Sequence, residues 1–113
     1  MTIKEIAAQG IKSVRNDMDE IRHTTYDEKT KTASIIFPNG WVASVIRDDE
    51  NPEKWSVAVC DYNGYFDWNV LQPFGTCKKP NILGDHKMVD TGCVMCDTED
   101  RVCDVLQGIK AFS

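Results

Sequence analysis

No apolar run in this chain approaches the roughly 20 residues that a membrane-spanning helix requires, so a helical membrane protein is not expected. Basic residues are also in short supply. Thirteen lysines and arginines face 18 aspartates and glutamates, a net charge of −5 over 113 residues. Contact with a phosphate backbone needs a basic surface, so direct nucleic-acid binding is not expected. The seven glycines are scattered and form no phosphate-cradling loop. Neither His23 nor His86 has a serine or cysteine close by in sequence to make a nucleophile–base pair. No catalytic residue and no cofactor is therefore expected, and the chain reads as non-enzymatic. Met1-Thr2-Ile3-Lys4-Glu5-Ile6 lacks the charged and apolar blocks of a signal peptide, which implies a cytoplasmic protein.

A disulfide framework is disfavoured as well. The five cysteines (Cys60, Cys77, Cys93, Cys96 and Cys103) are odd in number, and a reducing compartment keeps thiols free. Buried free cysteine behaves as a small apolar residue.

What is present is a clear architectural pattern. A chain of this length with 42% hydrophobic residues is one domain around one core. Thr2 with Glu5 fits a capping box, and Ile3, Ile6, Ala7, Ile11, Val14, Met18 and Ile21 follow at three- and four-residue steps. That stripe predicts a helix over roughly residues 3–22. The period then changes. Thr24–Asp27 and Thr32–Phe37 flank Glu28–Lys31 as a first hairpin, and Val42–Ile46, Trp55–Val59 and Phe66–Val70 read as further strands. Asn39-Gly40 and Asn63-Gly64 predict two-residue turns with both central residues left-handed. Residues 71–92 carry Pro73, Gly75, Pro80 and Gly84 without a clean period, and read as a loop crossing one sheet face. Asp97 is placed to cap a final helix whose apolar stripe is Val102, Val105, Leu106, Ile109 and Phe112. The expected fold is α+β: an N-terminal helix, a five-stranded antiparallel meander, and a C-terminal helix packed on one sheet face.

Two residue sets carry chemical possibilities. Cys93-Val94-Met95-Cys96, with Cys77 and His86 upstream, supplies four zinc-type ligands, although only one half has the tight knuckle spacing. The same pair as a redox motif is disfavoured, because Asp97, Glu99 and Asp100 would raise rather than lower a thiol pKa. The second set is aromatic and acidic. Trp41, Trp55, Tyr62, Tyr65, Phe66 and Trp68 fall on the last three predicted strands, and all of these but Phe66 join Asp48, Asp49, Glu50 and Glu53 as the candidate contact residues. If helices cover one sheet face, exposed aromatics on the other would form a protein-binding surface, with the acidic loop steering a basic partner.

Phe37-Pro38-Asn39-Gly40-Trp41-Val42-Ala43-Ser44-Val45-Ile46, followed by Trp55-Ser56-Val57-Ala58-Val59, resembles a group of small bacteriophage accessory proteins with a Phe-Pro-Asn-Gly-aromatic hairpin. Residues 92–112 are similar to the short acidic-capped helix that ends members of that group. The likeness covers about half of the chain. It implies a phage origin and a host-cell cytoplasmic location, and it carries over no catalytic residue. Cys93 and Cys96 fall where the group has packing residues, which lowers the case for zinc. The long N-terminal helix and the additional cysteines depart from the group. His23-Thr24-Thr25-Tyr26-Asp27-Glu28 also resembles a strand of phage uracil-DNA glycosylase inhibitor, too short a stretch to carry a function. The resulting expectation is a non-enzymatic phage protein that binds a host protein, as an inhibitor of a defence or gene-expression system. The alternative is a zinc-stabilised module built on Cys77, His86, Cys93 and Cys96.

Overall fold

In a computed structural model, which describes residues 1–67, 69–81, 84 and 87–112, the capping box forms as expected. The Thr2 hydroxyl accepts from the Glu5 amide, and the Glu5 carboxylate accepts from the Thr2 amide. The helix it starts, α1 (Ile3–Ala8), is far shorter than the predicted span to residue 22. Gly10 runs close against Thr24, Ile35 and the Ile36 carbonyl, where a Cβ would stand only 3.0–3.1 Å from each. Ile11 then bridges to Ile36, and the chain forms a small hairpin from β1 (Ser13–Arg15) and β2 (Ile21–His23). The apolar stripe was serving two cores. Ile3 and Ile6 are buried on one side of the main sheet, whereas Ile11 and Val14 pack on Ile36, Val42 and Cys60 on the other. One straight helix cannot reach both faces.

The main sheet contains β3 (Thr25–Asp27), β4 (Thr32–Ile36), β5 (Trp41–Arg47) and β6 (Trp55–Asp61), antiparallel neighbours in chain order. After a short pair made by β7 (Lys78–Pro80) and β8 (Met88–Asp90), β9 (Val94–Cys96) takes the fifth position beside β6. The order is thus not a simple meander. The predicted fifth strand at 66–70 reduces to one bridge from Phe66 to Cys60. Val70 and Leu71, both almost fully buried, leave the sheet to fill the core. Residue 68 of that span lies outside the described residues.

Both Asn-Gly turns form, with a different geometry from the one expected. Gly40 and Gly64 have φ of +96° and +90°, but neither Asn39 nor Asn63 is left-handed. Each turn closes through a Gly amide bonded to the carbonyl three residues earlier, Phe37 or Asp61. The Phe37 and Asp61 amides in turn bond the Trp41 and Tyr65 carbonyls. These are three-residue loops in which glycine alone supplies the positive φ. Pro38 suits the second position of such a turn, because its ring presets φ.

The last helix, α2 (Glu99–Ala111), is capped by Thr98, whose hydroxyl accepts from the Arg101 amide, rather than by Asp97. Val102, Val105, Leu106 and Ile109 are fully buried and share one core with Ile3, Ile6, Ile35, Ala43, Val45, Val57 and Val59. Phe112 is only at the margin, edge-on to Trp41 with ring centres 6.3 Å apart. Asn39 clamps this end of α2 by donating from its amide to the carbonyls of Ile109, Lys110 and Phe112 at 2.7, 3.1 and 3.0 Å.

Candidate functional site

Side chains alternate across a strand, so the residues that do not face the helical core are available to build something else. On β4, β5 and β6 these are Ser34 and Ile36, then Val42, Ser44 and Ile46, then Ser56, Ala58 and Cys60. The register sets Thr25, Ser34, Ser44 and Ala58 in one row across four strands. The adjacent row of Ile36, Val42 and Cys60 is covered by Ile11 and Val14 from the β1 arm. Coverage stops there. Over the row of small residues the sheet stays open as a groove of about 550 Å³.

Arg22 of β2 lines one side of the groove, beside the Gly64 turn. Glycine at 64 is required by its φ of +90°, and a Cβ there would stand 2.8 Å from the Arg22 Nη2 atom, the movable end of that side chain. Phe66, opposite Cys60 in the register, is 67% exposed at the same end. Thr91, Gly92 and Cys93 line the groove elsewhere. Asp90 pins that segment by accepting from the Gly92 amide at 2.8 Å and the Thr76 hydroxyl at 2.7 Å. These bonds, the amide first, hold the Asp90 carboxyl below its ordinary pKa. Ile46, 53% exposed, also lines the groove.

Arg22 is the single charged residue among the described lining residues. Its Nε atom is buried and has no hydrogen-bond partner among the described residues. The ion pairs among the described residues all involve other cations. Cys60, on the groove floor, has its thiol pushed up by burial, against an opposing pull from Arg22. A thiol so placed is a poor nucleophile at neutral pH.

The sequence-derived surface is not assembled as one patch. Trp55 is 7% exposed on the helix-covered face, with its indole N–H donating to the Lys31 carbonyl at 3.1 Å and Arg47 stacked 3.9 Å from its ring centre. Trp41 also leans on that core, and Tyr62 is half-buried against Ile36, Val42 and Cys60. Tyr65 is exposed, and Trp68 lies outside the described residues. Within the acidic loop, Asp48 is buried, accepts from the Asn51 amide and side chain, and pairs with Lys79 at 3.5 Å. Glu50 shares the same lysine at 3.9 Å. Asp49 and Glu53 are exposed. Lys79 thus answers one of the loop's four negative charges, that of the buried Asp48, and Asp49, Glu50 and Glu53 stay exposed.

The expected metal ligands also separate. Cys96 lies in the helix-side core, while Cys93 lines the groove on the other side of the sheet. A tight knuckle needs both thiolates on one ion, and a strand that points them to opposite faces prevents it. Burial pushes the Cys96 thiol up to about 11, which suits a packing residue and opposes both zinc binding and redox exchange. Cys77 sits beside Cys93, donating its amide to the Cys93 carbonyl at 2.7 Å, and His86 lies outside the described residues. Among the described residues no group of three or more His, Cys, Asp or Glu is arranged to hold a metal.

No family model matches this chain, and no curated protein or solved structure is significantly similar to it. No helix among the described residues is long and apolar enough to cross a membrane. Sequence reasoning missed Arg22 and the small-residue row. The available signal was a small residue near the middle of each of three strands on the face away from the helices, Ser34, Ser44 and Ala58.

Proposed function

We propose that this is a non-enzymatic binding protein that docks a protein partner on the uncovered half of its sheet. The observation that carries the reading is the pair Ile46 and Phe66, two large apolar side chains left exposed around one concave surface. Exposed apolar residues around a concavity are characteristic of recognition surfaces, and desolvated anchors of this kind supply most of the affinity in protein interfaces. The hairpin likeness supports a phage protein acting on a host protein in the host cytoplasm, as an inhibitor of a defence or gene-expression system. The exposed aromatics and carboxylates of the original set, Tyr65, Asp49 and Glu53, would then lie outside the contact rather than at its centre.

The test compares immobilised wild-type protein with an Ile46→Asp/Phe66→Asp variant in lysate of the bacterial host. A partner retained stoichiometrically by the wild type and lost by an equally stable variant supports the assignment. Capture of the same proteins by both, or of none by either, ends it.

A further inference from the structure

Three sulfur-bearing side chains, Cys77, Cys93 and Met95, line one cavity of about 160 Å³. It lies between the sheet row Ile46–Ser56–Met95 and the start of β7. Strand alternation puts Cys93 and Met95 on the same face, about 6–7 Å apart along the chain, while Val94 and Cys96 turn into the helical core. Cys77 comes from across. Its amide donates to the Cys93 carbonyl at 2.7 Å, and its carbonyl accepts from the Thr91 amide at 2.9 Å and the Thr91 hydroxyl at 2.8 Å. Bonding of this kind holds two Cα atoms roughly 5–6 Å apart, a separation from which two cysteine sulfurs can reach a common point. We infer that the cavity is a binding site for a soft monovalent metal ion, Cu(I), held by the two thiolates with the Met95 thioether as third donor. This goes beyond the partner-docking reading and does not rest on it.

Size and donor chemistry select the ion. The cavity is smaller than the roughly 300–1,000 Å³ of sites for organic ligands. Thiolate and thioether donors together prefer Cu(I), whereas structural Zn(II) takes four ligands drawn from Cys, His and carboxylate. No histidine is among the described lining residues, and the buried carboxylate there, Asp48, is engaged by Asn51 and Lys79. Hard and borderline divalent ions therefore lack a donor set among the described residues. The charged groups on the wall, Arg47 and Lys79 against Asp48 and Asp49, offset one another, which leaves the sulfurs to decide selectivity. All three sulfur residues are half-buried, so an ion has a way in. On binding, the two thiols release their protons to solvent and the sulfur electron pairs pass to the metal; no oxidation takes place.

Cuprous ion is the probe, added without oxygen to the reduced full chain against a chromophoric Cu(I) chelator as competitor. One ion per chain is expected, with X-ray absorption showing a first shell of three sulfurs. Cys77→Ser and Cys93→Ser should each weaken binding at least about 100-fold, the upper end of what even an outer-shell partner is worth. Met95→Leu, which conserves volume and so the fold, should weaken binding less and reduce the shell to two sulfurs. Cys103→Ala, in α2, should change nothing, and Zn(II) in excess should not displace the ion. Unchanged affinity in both serine variants, an unaltered sulfur shell in Met95→Leu, displacement by Zn(II), or an equal loss in Cys103→Ala would each overturn the proposal. Should a serine variant lose its fold, the shell in Met95→Leu still decides. No protein partner takes part in the readout, so failure of docking in lysate and failure here are separate results.

Discussion

Asp17 and Asn63, 46 residues apart, exchange two hydrogen bonds. The Asp17 amide donates to Asn63 Oδ1 at 2.8 Å, and Asn63 Nδ2 donates to Asp17 Oδ2 at 3.0 Å. The pair fastens the tip of the β1–β2 arm to the turn after β6, and so fixes the part of the groove that holds Arg22. Asn63→Ala removes both bonds and Asp17→Ala only one. We expect losses of about 1–2 and about 0.5–1 kcal/mol in urea unfolding, with a double mutant clearly less destabilised than the sum. Strict additivity would show that the two side chains do not communicate.

Asn39 plays an equivalent part at the opposite end of the sheet. Its amide group donates to three carbonyls at the end of α2. Asn39→Asp keeps shape but replaces donors by a carboxylate facing the negative end of a helix. The expected cost is about 1–3 kcal/mol near neutral pH, smaller in acid once the new carboxyl is protonated. A substitution with no effect on thermal stability at pH 7 would remove the clamp.

Gly108 sits in the middle of α2, where alanine would ordinarily gain up to about 1 kcal/mol. Here a Cβ would overlap the Phe74 ring, which lies directly on the glycine. Arg101 holds that ring from the side, its guanidinium 5.5 Å from the ring centre and its Nη2 donating to the Phe74 carbonyl at 3.1 Å. Gly108→Ala is therefore expected to destabilise by about 1–3 kcal/mol through overpacking. In a Phe74→Ala background the same change should become stabilising. That reversal of sign, read from melting temperatures, is the decisive measurement.

Acid should weaken the fold through Asp48 and Asp90. Burial alone would raise the Asp48 carboxyl, but hydrogen bonds from Asn51 and the charge of Lys79 outweigh it and hold the group below its ordinary 3.8. A carboxyl depressed in the folded state binds fewer protons there than in the unfolded chain. Its contribution is thus present above pH 3.8 and lost as pH falls through the lower folded value. Melting temperature should drop steeply in that window, and Asp48→Asn should flatten the drop while lowering stability at neutral pH. An unchanged acid limb in the variant would place the sensitivity elsewhere.

The turn positions, strands β3 to β6 and the buried stripe of α2 were legible because each is announced within a few residues. Glu28–Lys31 joins β3 to β4, and the valines at 57 and 59 alternate with small residues as a half-covered strand must. The N-terminal stripe misled because hydrophobic spacing records that a residue is buried, not against which side of a sheet. Ile6 and Ile11 are both helical in register, yet they serve opposite faces. The fifth strand was hidden for a different reason. Val94–Cys96 has three residues and pairs with a strand 35 or more positions earlier, a contact that no local pattern encodes. Asn39 and Asn63 were found by a rule about backbone angles and are used instead for their amide side chains, which reach partners 70 and 46 residues away.

The late arrival of β9 and α2 bears on synthesis. Residues 25–61 can pair into a four-stranded layer while the ribosome is still reading the message, yet Ile35, Val45 and Val57 then face water. Ile3 and Ile6 of α1 cover part of that layer, and only when Val102–Ile109 have emerged is the cover complete. Until then the nascent chain is a natural client for a chaperone, and a stop codon before residue 100 would release a product that proteases should clear.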